Sequence, residues 1–216
     1  MREMIEVVSL QKAFKEQVVL RNVNLSVSKG TITGLVGDNG SGKSVLLKCI
    51  CGLMIPDRGT VWLGEKRVGK DMDFPSNVGA LIEAPGFLPR ESGYDNLYYL
   101  WSIRKMVPLP AIERSMEVVG LSARDRKPVG KYSMGMRQRL GIAQALMEDP
   151  EILILDEPFN GLDKHGRAEM YEVMNDLRQA GKTMLITSHY ALDIEKLCEA
   201  VYEIDVGEAK PLGASG

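Results

Sequence analysis

Eight consecutive residues, Gly37-Asp38-Asn39-Gly40-Ser41-Gly42-Lys43-Ser44, carry the most specific chemistry in this chain. A glycine, four intervening residues and then Gly-Lys-Ser form a pattern for gripping a polyphosphate. Glycines let the backbone curl until successive N–H groups face phosphate oxygens, and a following helix adds the positive end of its dipole. Lys43 would reach the terminal phosphates, and the Ser44 hydroxyl would ligate Mg²⁺. Such a loop needs a strand before it and a helix after it. Residues 31–36 are a short run rich in apolar and β-branched side chains, which reads as a buried strand. Residues 45–50 continue without a breaker and read as a helix.

Two carboxylates, Asp156 and Glu157, end the apolar run 152–155. In open parallel sheets, ligands bind beyond the carboxyl ends of the strands. An acid there would hold Mg²⁺ directly or through water, which is the task expected of Asp156. Glu157 alternates to another direction and could orient or deprotonate a water at the γ-phosphate. His189 follows a further apolar run, 183–187, and emerges on the same rim. A neutral imidazole there could hydrogen-bond the γ-phosphate and sense whether ATP or ADP is bound. Ser133 and Gly135 open the helix that runs up to the acidic strand. They fit either an ordinary helix cap or a second anion site built like the first. Two anion sites so widely separated make sense only if they come from different subunits.

Positioning these groups requires several strands that end on one rim. Residues 5–10 and 23–27 read as strands, the second alternating as an antiparallel sheet with one solvated face does. Between them, residues 12–16, with Phe14, read as a loop. Residues 56–59 are a turn by their chemistry, followed by a strand at 60–63. Residues 78–82 form another buried strand, stopped at Glu83 and then Pro85-Gly86. From 87 to 131 the character changes: residues 95–104 and 111–119 read as helices with no strand between them. An all-helical insert is expected, with Gly120 capping its second helix. Tyr98, Tyr99 and Trp101 read as helix packing rather than a cofactor box. Then come a helix at 135–147, the acidic strand, and a helix at 167–180 with apolar residues at helical spacing. A strand at 183–187, a helix at 191–199 and a strand at 201–204 follow, and residues 211–216 read as a loose tail. The expected fold is α/β, a mainly parallel sheet flanked by helices, with an antiparallel N-terminal part and a helical insert.

Composition limits the alternatives. Hydrophobic content of 44% and charged content of 26% exclude a disordered chain. A net charge of −2 gives no electrostatic case for nucleic acid. No run approaches the ~20 apolar residues of a membrane span, and the N-terminus lacks the apolar core of a secretory signal. Cys49, Cys51 and Cys198 have no metal-ligand spacing, so reduced structural thiols of an intracellular protein are expected.

Taken in order, these residues resemble the ATP-binding subunit of ABC transporters over essentially the whole chain. Residues 37–44 resemble the Walker A loop, and residues 152–157 the Walker B strand with its catalytic glutamate, Glu157. Tyr132-Ser133-Met134-Gly135-Met136 resembles the signature motif, Asn160-Gly161-Leu162-Asp163 the D-loop, and His189 the switch histidine. Phe14 falls where the family places an aromatic that stacks on adenine, and Glu83 falls at the Q-loop. The resemblance implies a P-loop NTPase fold in one domain over residues 1–216, with residues 87–131 as the helical subdomain. It implies ATP hydrolysis in which Lys43, Glu157 and His189 act, residues 37–44 hold phosphates, and Ser44, Asp156 and Glu83 hold Mg²⁺. It further implies two ATP-binding subunits, a homodimer or heterodimer, closing head to tail so that Ser133 and Gly135 meet the partner's ATP. A separate integral-membrane permease would anchor them at the cytoplasmic face of the cell membrane.

Two motifs depart from the commonest family pattern. The signature reads Tyr-Ser-Met-Gly-Met in place of Leu-Ser-Gly-Gly-Gln, keeping the Ser and the second Gly. Glu83 replaces the Q-loop Gln, which keeps an oxygen for Mg²⁺ but adds a negative charge. Both variants, with residues 80–87, resemble the bacitracin and lantibiotic resistance branch of bacterial exporters. The family usually continues past its last strand, so a C-terminal extension is expected to be missing. The rival readings are a soluble ABC ATPase without a permease and a P-loop nucleotide kinase; the signature and D-loop matches argue against the kinase.

Overall fold

The chain builds two sheets in a computed structural model that describes residues 3–84 and 86–212. Pro85 and the last part of the expected loose tail, residues 213–216, lie outside the described residues. The first sheet is antiparallel, in the order β2 (Gln17–Ser28), β1 (Glu3–Phe14), β4 (Arg58–Leu63), β5 (Lys66–Arg67). Of the loop expected at 12–16, only Lys15-Glu16 is a turn: β1 runs through Phe14, which pairs with Gln17 across those two residues. Lys15 adopts a left-handed φ of 53° to make that turn. Asp57 holds the strand end from outside, accepting from Ala13 N at 2.7 Å and Lys12 Nζ at 3.0 Å. The charged residues around Phe14 mask these non-local partners.

The second sheet runs β10 (Glu208–Leu212), β9 (Ala200–Asp205), β3 (Ile32–Val36), β8 (Thr183–Thr187), β7 (Ile152–Leu155), β6 (Val78–Leu81). All neighbouring pairs are parallel except β10 with β9. Every residue of β7 and β8 is buried, as expected of parallel strands covered on both faces. Side-chain alternation divides them between two cores. Leu153, Leu155, Met184 and Ile186 face one; Ile152, Ile154 and Leu185 face the other, together with Ile5, Val7 and Leu46. β10 corrects the expected tail: Val206 and Gly207, both with positive φ, turn the chain back along β9. Two such residues suit a hairpin turn, and Pro211 is tolerated because β10 is an edge strand.

Six α-helices, α1 (Lys43–Ile50), α2 (Gly93–Arg104), α3 (Ala111–Val118), α4 (Met134–Leu146), α5 (Lys164–Gln179) and α6 (Ala191–Leu197), and a 3₁₀ turn at Val129–Lys131 complete the described residues. The insert contains α2 and α3 without a strand between them, as expected. Leu97, Ile112 and Met116 of these helices share a buried cluster with Leu140 of α4 and Leu153 of the sheet. At Gly79 of β6 a Cβ would lie 2.0 Å from Ala145 O, so α4 rests directly on the backbone of the strand. Among the described residues, no helix is long and apolar enough to cross a membrane.

Candidate functional site

Strand β3 delivers the glycine loop to α1, and both ends of the loop touch neighbouring backbone or side chains. Gly37 has φ 143°, and a Cβ there would lie 2.3 Å from Ile204 O. Gly42 has φ 107°, and its Cβ would meet Leu20 Cδ2 at 2.8 Å. Only glycine fits either position without moving β9 or β2. The amide of Leu46 makes the first bond of the helix, to Gly42 O at 2.9 Å. The amides of Lys43, Ser44 and Val45 therefore precede the helical ladder, which is the arrangement that receives an anion. Inside the same loop, Ser41 Oγ is buried and has no hydrogen-bond partner among the described residues. A buried donor in that condition fits a phosphate oxygen.

Lys43 is only 8% exposed and folds back across the loop. Its Nζ donates to Gly37 O at 2.6 Å and Asp38 O at 2.9 Å. The carbonyls are weaker partners for an ammonium than a charged phosphate, so the lysine is stored beside the position where phosphate would lie.

Asp156 sits one residue past β7 and is bonded on both oxygens. Ser44 Oγ donates to its Oδ2 at 2.8 Å, and Thr187 Oγ1 donates to its Oδ1 at 2.7 Å. Thr187 Oγ1 also accepts from Glu157 N at 2.8 Å. Thr187 thus orients both acids from the adjacent strand, a role the sequence reading did not assign. Its signal was a polar residue ending an apolar run one strand away. The hydroxyl and carboxylate are hard oxygen donors of the kind Mg²⁺ takes. No group of three or more His, Cys, Asp or Glu among the described residues forms a closed metal cage. A cation at Ser44 and Asp156 would complete its shell with phosphate and water, as Mg²⁺ does in phosphate sites.

Glu157 has φ 49°, a left-handed conformation that costs a non-glycine residue about 1–3 kcal/mol. Gln138 Nε2 at 2.8 Å and Asn160 N at 3.1 Å both donate to its carbonyl and hold it there. The carboxylate Oε2 lies 2.7 Å from His189 Nδ1, beyond the end of β8. Glu157 lines two adjoining cavities. The smaller, about 240 Å³, is shared by Gly40, Gly42, Lys43, Ser44 and Asp156; the larger, about 680 Å³, includes Gly37, Asp38, Asn39, Asn160 and His189.

Four expected site residues line neither cavity, two of which, Ser133 and Gly135, were expected at the ATP of a partner subunit. Glu83, expected at the metal, adopts φ 62° and pairs with Lys48 Nζ at 2.5 Å. Its side chain is 62% exposed, because the second turn of α1 offers a cation on its outer side. Phe14 is 45% exposed, has Lys12 Nζ 5.7 Å from its ring centre, and lines neither cavity. Ser133 caps α4, accepting from Met136 N at 3.1 Å, and lines neither cavity. Gly135 is packed against the 160–163 segment, where its Cβ would lie 2.9 Å from Gly161 O. In turn a Cβ on Gly161 would lie 2.4 Å from Met134 Cγ. Asp163 caps α5 by accepting from Gly166 N at 2.7 Å.

Comparisons with known proteins agree with this geometry. Residues 20–160 match a family model described as ABC transporter. The chain is 41% identical over 204 residues to an uncharacterized ABC transporter ATP-binding protein, YybJ, of Bacillus subtilis (strain 168), covering 94% of each chain. It is 41% identical to the bacitracin transport ATP-binding protein BcrA of Enterococcus faecalis, over 93% of this chain and 66% of that protein. A solved structure of an ATP-binding subunit of an ABC transporter superposes with a TM-score of 0.86 at 27% identity, over 98% of this chain and 90% of that one. A dimeric structure of the bacterial cassette MJ0796 gives a TM-score of 0.86 at 22% identity, over 96% and 97% of the two chains, which speaks to fold alone.

Proposed function

The chain belongs to the ABC transporter family as an ATP-binding, ATP-hydrolysing cassette, and on that premise we propose that it powers a separate membrane permease exporting a peptide antibiotic or similar drug. The carrying observation is the Glu157–His189 contact at the wall of the glycine-loop cavity, beside the Ser44–Asp156 bond. Residues 37–44 and Lys43 would hold the ATP phosphates, and Ser44 and Asp156 would hold Mg²⁺. When bound, Mg²⁺ would neutralise charge on the phosphate oxygens. Glu157 would take a proton from the attacking water as its oxygen bonds to the γ-phosphorus. The bond to the bridging oxygen of ADP breaks in the same displacement, releasing ADP and phosphate. His189, when protonated on both ring nitrogens, would donate from Nδ1 to the Glu157 carboxylate and from Nε2 to a γ-phosphate oxygen. Most of the rate gain would come from position and electrostatics, since phosphoryl transfer asks for little covalent chemistry.

Two copies, identical or not, would close head to tail so that each Ser133–Gly135 end completes the other's site. The start of α4 supports this: Ser133 takes the Met136 amide, and the amides of Met134 and Gly135 precede the first helical bond, Arg137 N to Ser133 O at 3.1 Å, the arrangement that receives an anion. Residues 1–216 would act as one domain with 87–131 as its helical subdomain, consistent with the buried cluster they share. The assembly would sit on the cytoplasmic face of the cell membrane. The purified chain is expected to release phosphate from Mg-ATP and to capture a protein with about six apolar spans from detergent-solubilised membranes of its own cell. Phosphate release with no membrane protein captured would favour a soluble ABC ATPase.

A further inference from the structure

Asp193, in the first turn of α6, is 1% exposed and has no part in the chemistry above. Arg167 Nη1 donates to both its oxygens, at 2.8 and 3.0 Å. Tyr171 OH donates to Oδ1, and Ser188 Oγ donates to Oδ2 at 2.6 Å. A buried carboxylate is tolerated when it is charge-paired and fully hydrogen-bonded, and this one meets both conditions.

Its donors belong to the segments that frame the reaction. Arg167 and Tyr171 lie on α5, whose cap is Asp163; Arg167 N bonds back to Asp163 O at 2.9 Å. Tyr171 packs edge-on to Phe159, centroids 5.2 Å apart, two residues beyond Glu157. Ser188 immediately precedes His189, and its Oγ also accepts from Tyr190 N at 3.0 Å. The Tyr190 ring lies 4.1 Å from the Arg167 guanidinium carbon and 4.2 Å from the His189 ring. Both chain neighbours of His189 are therefore held by the Asp193–Arg167 pair, one through a hydroxyl and one through a ring face.

We propose that Asp193 is a positioning residue for hydrolysis: through Ser188, and with Arg167 on Tyr190, it fixes His189 against Glu157 and ties that contact to the α5 turn carrying Asp163. This rests on the reading of His189 as a participant in hydrolysis. It assigns Asp193 a duty beyond holding α6 to α5, because a displacement of about 1 Å at a reacting centre can cost ~10²-fold in rate.

The test uses the full chain and four variants: Ser188→Ala, Asp193→Asn, His189→Ala and the Ser188→Ala/His189→Ala double. Ser188→Ala cuts the link while leaving the Arg167–Asp193 pair in place. It is expected to lower kcat roughly tenfold, short of the ~10²-fold limit above, with ATP affinity and melting temperature near wild type. Asp193→Asn should lower kcat at least as far; if it does not fold, the Ser188 variants decide. In the His189→Ala background, Ser188→Ala should have no further effect on kcat. An equal loss in both backgrounds, or a fall in melting temperature that accounts for the lost activity, would make the cluster merely structural and overturn the proposal. Wild-type kcat for Ser188→Ala beside a slow His189→Ala overturns the proposal but leaves the reading of His189. Wild-type kcat for His189→Ala removes both.

Discussion

Glu157 Oε2 and His189 Nδ1 stand 2.7 Å apart although 32 positions separate them in the chain. The contact exists because β7 and β8 are parallel neighbours and both acids and the histidine follow their carboxyl ends. Thr187 reinforces the alignment by bonding Asp156 Oδ1 and Glu157 N together. Glu157→Gln keeps the shape of the side chain and a partner for His189 but cannot take a proton from water. ATP binding is expected to persist while hydrolysis slows by at least ~10²-fold, the usual scale for a general base. Phosphate release and nucleotide binding measured side by side check this; near-normal turnover would remove Glu157 from the chemistry.

Lys43→Ala deletes the ammonium that now rests on Gly37 O and Asp38 O. A hydrogen bond to a charged group is worth about 1.5–3 kcal/mol, so ATP affinity should fall by at least ~10-fold, with hydrolysis lost alongside it. Calorimetric titration with ATP reads the loss directly.

Glu83→Gln breaks the pair with Lys48, in which the Glu83 side chain is 62% exposed. An ion pair so placed contributes about 0–1 kcal/mol, so urea unfolding should change by less than that. ATP binding to the isolated chain should keep its dependence on Mg²⁺. A variant that binds ATP equally well with and without Mg²⁺ would put Glu83 at the metal after all.

Gly79→Ala introduces a Cβ 2.0 Å from Ala145 O, a backbone atom that cannot turn aside. Overpacking of this kind costs about 1–3 kcal/mol, and the cost should appear as a lower urea midpoint with an unchanged slope.

The cysteines should be quiet in the folded chain. Burial pushes the Cys49 thiol up to about 11 and the Cys51 thiol up to about 12. Cys198 is raised to about 12 by burial first and then by the charges of Glu199 and Asp193. The thiolate is the reactive form, and at pH 8 all three remain protonated. Iodoacetamide at pH 8 should label the native chain slowly and all three cysteines rapidly once urea is added.

Much of this was legible in the residues because the motifs are local. The glycine loop needs eight consecutive positions, and the buried strands announce themselves as unbroken apolar runs. Asp156, Glu157 and His189 came together on the rim because every parallel strand ends on the same side. Non-local partners escaped. Nothing near Phe14 announces that Asp57 will bond Ala13 N and extend β1. Nothing near Glu83 announces Lys48, two positions before the end of α1. Thr187 and Asp193 look ordinary until the sheet and α5 bring their partners within hydrogen-bond distance. The edge strand β10 was missed because its turn residues, Val206 and Gly207, precede a proline that usually signals a break.

The close seat of Met134 on Gly161 has a consequence for inheritance. The space beside the Gly161 α-carbon is filled by the Met134 side chain, whose Cγ leaves 2.4 Å for any new carbon. Bulk at 161 therefore meets two obstacles, the Met134 side chain and a φ of 75° that strains any L side chain whatever the space. Shedding bulk at 134 removes only the first, so a smaller residue there leaves 161 still bound to glycine.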